Sequence, residues 1–404
     1  MPRTAQEPAK NGIGELLLAL HTLGGSATRA ELTERLGCGR SVTGYLLREL
    51  DQLGMIGVDR EHQRSEGGRP SHRIRIADTG PVVLAIQLHA ATVSAARVAL
   101  GGRILERVDR DLPSRDVADV VRELCCLVVE LAPTIRPLLG LGIAVPGPVR
   151  LPDGQVRAAT HLGWPRSVPL ARLVRAELPP HLTDLPIEVG NDANLAAWAE
   201  HRHGAGRAAA QLLYLTTTRV GLGGALVSGG QLFSGAHGYA IEPGHITVDP
   251  AGARCRCGST GCLEVEADQR ALLRAAGVPD LPDGEIPDAA AEVVAAARAG
   301  DAHARTAVRR LNTRLGSGLA SLANIIDTDR IVLGGTLAAL YELDPATVRD
   351  QLAARAFLVD IDEITIAPEQ LPDSALLGAA ELAWHPLLTD PRRTLNTAHQ
   401  PQRA

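Results

Sequence analysis

At 404 residues the chain is longer than one ordinary hydrophobic core supports, so two or three domains are expected. Hydrophobic residues make up 45% and charged residues 22%, ordinary for a globular protein, but aromatics only 2%, so Leu, Val, Ile and Ala must build the cores. No apolar run reaches the length of a membrane span, Met1–Lys10 is too polar for a secretory signal, and a net charge of -5 excludes indiscriminate nucleic-acid coating. The cytoplasm is the expected location, where the six cysteines are thiols or metal ligands, not disulfides.

Residues 13–53 carry three short helical signals. The first puts Ile13, Leu16, Leu17 and Leu20 on one face and ends at Gly24-Gly25. Thr28 and Glu31 form a Thr-x-x-Glu capping box that opens the second, which stops near Gly37. The third runs from about Arg40 to Leu53, with Thr43, Leu46, Leu47, Leu50 and Leu53 inward, and Gly54 stops it. Two strand-like runs follow, Met55–Asp59 and Arg73–Ile76, joined by a Gly67-Gly68-Arg69-Pro70 turn. This is the order of a winged helix-turn-helix, expected over residues 1–78. A basic patch of Arg60, Arg64, Arg69, Arg73 and Arg75 faces only Glu61 and Glu66.

In such a module the third helix packs on one face and offers the other to the major groove. Ser41, Gly44, Tyr45 and Arg48 fall opposite the inward set, and Arg40 and Val42 lie at the helix start. Arg40 and Arg48 suit guanine edges or phosphates, and Ser41 a phosphate or a base. Arg69 on the wing suits a narrow minor groove. The plainer alternative is a small helical dimerisation bundle with solvated arginines.

A new domain begins at Thr79 and is expected to run to 390. Strand candidates are Val82–Gln87, Leu141–Val145, Ile187–Val189, Leu212–Thr216, Gly224–Val227 and Arg330–Leu333, with helices over 115–131, 193–203, 288–299 and 302–326. That alternation implies an α/β architecture. Cys125 and Cys126 read as core, and the polar residues from Asp390, with a separate tail over 391–404, are expected to fray.

Cys255-x-Cys257-x4-Cys262 places three thiolates within eight residues, with Gly258 and Gly261 permitting tight turns. Such a loop can wrap one tetrahedral Zn2+, and His245 is the nearest sensible fourth ligand. A closed Cys3His shell implies a structural ion. Reduced core cysteines are the alternative, but Arg254, Arg256, Ser259 and Thr260 make a poor core.

Glu242-x-x-His245, followed by Cys-x-Cys-Gly-x-x-Gly-Cys-Leu-Glu264, resembles the signature of the ROK family of repressors and sugar kinases. Leu141–Val149, Leu162-Gly-Trp164, Gly190-Asn-Asp-Ala-Asn194, Ile331–Gly335 and Leu377–Ala380 resemble further family motifs, covering about residues 80–390. The resemblance implies a two-lobed, actin-like (ribonuclease H-like) sugar-kinase fold with a sugar cleft. It also implies Asn191, Asp192, Glu242, His245 and Glu264 as sugar contacts, with His245 serving metal and sugar at once. Asn191-Asp192 reads equally as a strand-to-helix turn that caps a helix.

The departures concern phosphate binding. A family kinase carries Asp-x-Gly-Gly-Thr after its opening strand, where this chain has Gln87-Leu-His89-Ala90-Ala-Thr92. Its second loop reads Arg219-Val220-Gly-Leu-Gly-Gly224, short of the usual Gly-Thr pair. Gly190 stands where the family's box has Glu, leaving the cleft one expected carboxylate short. Asp192 holds the family's catalytic-base position, yet a base without a phosphate site transfers nothing. The implied protein is a catalytically inactive, homodimeric or homotetrameric repressor of carbohydrate genes. Two winged heads would bind a double-stranded, near-palindromic operator, and a sugar or sugar phosphate would be the effector. An active sugar kinase with an appended DNA-binding head is the alternative, and a ligand-independent DNA-binding protein a third.

Overall fold

The computed structural model describes residues 12–59, 73–133, 135–150, 153–159, 162–164, 167–217, 221–357 and 362–398. The wing turn with Arg69, and Arg219 and Val220 of the second glycine loop, lie outside the described residues.

The head contains α1 (Gly12–Thr22), β1 (Ser26–Thr28), α2 (Arg29–Leu36), α3 (Arg40–Gln52), β2 (Ile56–Asp59) and β3 (Arg73–Ile76). The capping box forms as read: the Thr28 N–H donates to Glu31 at 2.6 Å and the Glu31 N–H to the Thr28 hydroxyl at 3.2 Å. β3 pairs antiparallel with both β1 and β2. β1 goes unread in the sequence because three residues carry no period.

Two five-stranded sheets follow, built alike. The first lobe runs β4 (Val82–Leu88), β5 (Thr92–Ala99), β6 (Arg103–Asp111), α4 (Val117–Leu131), β7 (Leu138–Val145), the short hairpin β8 (Val149–Arg150) and β9 (Gln155–Val156), α5 (Leu170–Glu177) and β10 (Ile187–Asn191). Its sheet order is β10-β7-β4-β5-β6: an antiparallel meander, then two parallel strands added beside β4. α6 (Asp192–His203) leads to the second lobe, which opens with β11 (Gln211–Thr217), β12 (Leu222–Ser228) and β13 (Gln231–Leu232). There α7 (Leu263–Ala267), α8 (Gln269–Ala275), α9 (Ile286–Ala299) and α10 (Ala302–Ile326) precede β14 (Arg330–Gly334). α11 (Thr336–Leu343), α12 (Pro345–Arg355) and β15 (Thr365–Pro368) complete it, in the order β13-β12-β11-β14-β15. The same meander with parallel strands appended, made twice, is the two-lobed actin-like arrangement.

The chain then returns. α13 (Ser374–Thr389) packs on the first sheet and on α6, and α14 (Pro391–Ala398) follows. The expectation of a frayed tail is therefore corrected over 391–398: Leu395 is buried, and Arg392 pairs with Glu49 of α3. Cys125 is buried as expected, but Cys126, one residue further round α4, is exposed.

The head shares its core with the body. Leu16, Leu17, Leu20, Leu46 and Leu50 belong to the same apolar cluster as Trp384, Leu387, Leu388 and Leu395. The junction also demands glycine. Gly101, at the β5–β6 turn with φ +86°, lies so close to the Gly24-Gly25 turn that a Cβ would come within 2.9 Å of its backbone. Left-handed backbone alone costs a side-chain-bearing residue about 1–2 kcal/mol. Gly101→Ala is expected to lower the thermal midpoint and to speed proteolysis between head and body; unchanged values for both would contradict this packing.

Candidate functional site

The cysteine loop is a folded clasp. Bridges between Thr247 and Cys262 and between Arg254 and Thr260 close it, and Arg314 of α10 anchors it through Asp249 at 2.5 Å. Burial pushes the Cys255 thiol up to about 12 and raises Cys262, whereas a backbone hydrogen bond from Ser259 lowers Cys257. The ligand-type atoms of His245, Cys255, Cys257 and Cys262 all lie within 4.8 Å of one another. Cys257 and Cys262 sulfurs are 3.6 Å apart, and Cys255 Sγ is 3.8 Å from His245 Nδ1. A tetrahedral ion with Zn–S near 2.3 Å separates its ligands by about 3.5–3.8 Å, so the donor set fits.

Beside the clasp a cavity of about 350 Å³ opens between the lobes, large enough for a small ligand. All five residues implied as sugar contacts line it: Asn191, Asp192, Glu242, His245 and Glu264. Asn191 is also the cap of α6, as the alternative reading had it. Its Oδ1 accepts from the Asn194 N–H at 3.0 Å, while its Nδ2 donates to the Gly147 carbonyl and to Asp192, at 3.1 and 3.2 Å. Asp192 also accepts from the Ala193 N–H at 2.8 Å. Desolvation pushes its carboxyl up to about 6, with the charge of Glu242 adding to the shift. Glu264 touches both clasp and glycine loop, 3.8 Å from Cys255 Sγ and accepting from the Leu222 N–H at 3.2 Å.

Gly190 packs against α6. It does not line the cavity, and a Cβ there would meet the Leu195 side chain at 3.0 Å. The retained Gly224 has a packing reason of its own, since a Cβ would fall 2.5 Å from the Tyr214 carbonyl and 2.6 Å from Pro243. Gln87 and His89 are not among the residues that line the cavity: Gln87 pairs with Ser94 and Ala144 within the sheet, and the His89 N–H closes a turn onto the Thr92 carbonyl.

The sequence reading misses Arg256, Asp268, Arg270 and Arg274, which also line the cavity. Their only signal is adjacency: Arg256 sits between two cysteines, and Asp268 one helical turn past Glu264. Asp268 caps α8 through the Ala271 N–H at 2.8 Å, and burial pushes its carboxyl up to about 6.

On the head, Arg40, Ser41, Val42, Tyr45 and Arg48 are all exposed on α3. Gly44 is not. It is buried against α2, where a Cβ would come within 2.3 Å of the Arg29 guanidinium, and Arg29 in turn donates to the Arg40 carbonyl at 2.6 Å. Gly44 thus leaves the expected groove-facing set, and Arg29, unread in the sequence, fixes the start of α3.

Fold and cavity define the class: a winged helix-turn-helix joined to a two-lobed body of the sugar-kinase type. The pattern of the ROK family matches residues 83–385, and the chain belongs to the ROK family. It is 27% identical to a xylose repressor of Caldicellulosiruptor bescii, over 90% of this chain and 93% of that protein. It is 31% identical to a glucokinase of Streptomyces coelicolor, over 76% of this chain and 98% of the enzyme. A solved ROK family transcriptional regulator, a homolog of the E. coli MLC protein, superposes with TM-score 0.74 at 22% identity, covering 95% of this chain and 99% of that one. That last likeness speaks to the fold.

Two predictions follow from the site. Cys257→Ala is expected to bring bound zinc to background by elemental analysis after dialysis; wild-type zinc content would contradict the clasp. Because the Asp192 carboxyl is raised in the folded state, its ionisation opposes folding. The opposition is absent below about pH 4, where both states are protonated, and full above about pH 6. Asp192→Asn should therefore gain thermal stability over wild type as pH rises through that window; a pH-independent difference would contradict the desolvated carboxylate.

Proposed function

We propose that this ROK protein is a sugar-responsive transcriptional repressor whose body binds an effector and no longer phosphorylates it. The observation that carries the reading is the exposed basic face of α3, on a head built into the same core as a cavity-bearing body. Xylose repressors resemble the chain along nearly its full length, whereas the glucokinase likeness stops at the body, which supports the same reading. The head takes duplex DNA in the major groove: Arg40 and Arg48 contact guanine edges or phosphates, with Ser41, Val42 and Tyr45 between them and Arg69 on the wing. Two heads of a homodimer, or of a tetramer, match a near-palindromic operator. In this reading the protein acts in the cytoplasm, where its operator is. No helix among the described residues is long and apolar enough to cross a membrane.

In the cleft, Asn191, Asp192, Glu242 and Glu264 supply the polar groups that converge on sugar hydroxyls. His245, which lines the cavity, would hold a structural zinc together with Cys255, Cys257 and Cys262, so the metal would supply rigidity and orient a sugar contact.

An active kinase is the second reading, favoured by the glucokinase likeness and by the retained Asp192. Against it, Gln87, His89 and Ala90 replace an aspartate and two phosphate-cradling glycines, and Arg219 and Val220 replace the Gly-Thr pair of the second loop.

Fluorescence anisotropy with DNA from the chain's own promoter region, with and without D-xylose or D-glucose, tests the repressor reading. Sugar-dependent operator affinity is expected, with ADP release at background. ADP release well above background on either sugar would establish the kinase instead. Arg48→Ala should cost about 1–3 kcal/mol if it reads a guanine, and should lower the salt slope by about 1 if it holds a phosphate. Wild-type binding by this variant would remove α3 from the interface.

A further inference from the structure

α6 starts in the cavity and ends at the head. Asn191, Asp192, Ala193 and Asn194 line the cavity at one end, and Arg202 and His203 occupy its last turn. At about 1.5 Å per residue the helix spans roughly 18 Å.

At the far end, Glu381 of α13 is buried and gathers three partners. His21 Nε2 of the head lies 2.6 Å from its Oε1, His203 Nε2 lies 2.7 Å from the same oxygen, and Arg202 bonds the other oxygen. Two histidines and a carboxylate could pass for a metal site, but the hydrogen bonding decides otherwise. The Gly101 N–H donates to His21 Nδ1 at 2.8 Å, so the proton of the neutral ring sits on Nε2, facing Glu381. Burial keeps that ring neutral by lowering its pKa. Burial also works to raise Glu381, yet the hydrogen bonds from His21 and His203 and the charge of Arg202 outweigh it and hold the carboxyl well below the carboxylate range. Arg202 supplies the permanent charge, and it also stacks over Trp198 at 4.3 Å.

Between its ends α6 is tightly supported. Gly378 of α13 lies so near the Leu195 carbonyl that a Cβ would come within 2.0 Å, so the two helices touch backbone to backbone there. Its first turn is held by both lobes: β10 runs directly into it, and Gly223 of β12 faces the Ala193 methyl, where a Cβ would lie 3.1 Å away. A ligand that changes the spacing of these walls must displace the first turn of a helix pivoted near Leu195. The other end then moves against Glu381. A buried carboxylate cannot exchange lost partners for water, so α1 must follow or the cluster must rearrange.

We propose that α6 is the lever that carries effector occupancy from the cavity to the DNA head, with the buried Glu381 cluster of His21, Arg202 and His203 as its point of attachment. The proposal rests on the sugar-responsive reading. It assigns His21 and Glu381 positioning roles at a distance from both ligands.

The test measures operator affinity by anisotropy with and without saturating D-xylose or D-glucose, and sugar affinity by calorimetry. The proteins compared are wild type, Glu381→Gln and His203→Ala. The second variant removes the His203 contact of α6 with Glu381 while leaving the Arg202 and His21 partners in place, and provides the comparison if the first fails to fold. Wild type is expected to change operator affinity about 5- to 150-fold on binding sugar, the usual range of coupling between sites. The variants should bind sugar, and operator without sugar, within about threefold of wild type, while the sugar-induced change falls toward onefold. A variant that merely loosened the head would instead lose operator affinity without sugar, which would overturn the lever. So would variants that keep the full wild-type change. Wild type that binds sugar with no change in operator affinity would overturn the sugar-responsive reading itself, and the lever with it.

Discussion

The molecule turns on the contact between two helices, α6 and α13, pressed together where Gly378 meets the Leu195 carbonyl. Interiors packed at this density move as rigid pieces between discrete arrangements instead of deforming smoothly. One of these helices begins at the ligand cavity. The other carries the carboxylate that holds the head and, through α14, touches α3 at Glu49. Cavity, lobes and head therefore share one mechanical axis, and the apolar cluster around it is continuous from Leu16 to Leu395.

The clasp gives a second constraint. Three cysteines and a histidine anchored to α10 through Arg314 leave Glu264 between the clasp and the glycine loop. Gly224 of the glycine loop is fixed by packing of its own, under Tyr214 and Pro243.

Much of this was legible in the sequence where one physical signal dominates. The capping box at Thr28, the long periodic helices, the apolar central strands and the cysteine spacing each follow from local chemistry. Signals that depend on tertiary neighbours were not. β6 is too charged to show an alternating pattern, because it is an edge strand with one face in solvent. Gly44 matched the outward face of α3 by periodicity, yet Arg29 fills that space. Gly190 carries no local signal of its packing neighbour, the Leu195 side chain of α6. α14 reads as polar tail because its stability comes from one buried leucine and a partner on α3. The Glu381 cluster joins residues 360 positions apart, beyond the reach of any local pattern.

The central claim is that cavity and DNA head are thermodynamically linked, and linkage is reciprocal. Calorimetric titration of sugar into the protein, alone and saturated with operator, tests it most directly. The account predicts that operator changes the sugar affinity by the same factor, and in the same sense, as sugar changes the operator affinity. Sugar binding that is identical with and without bound operator would contradict it.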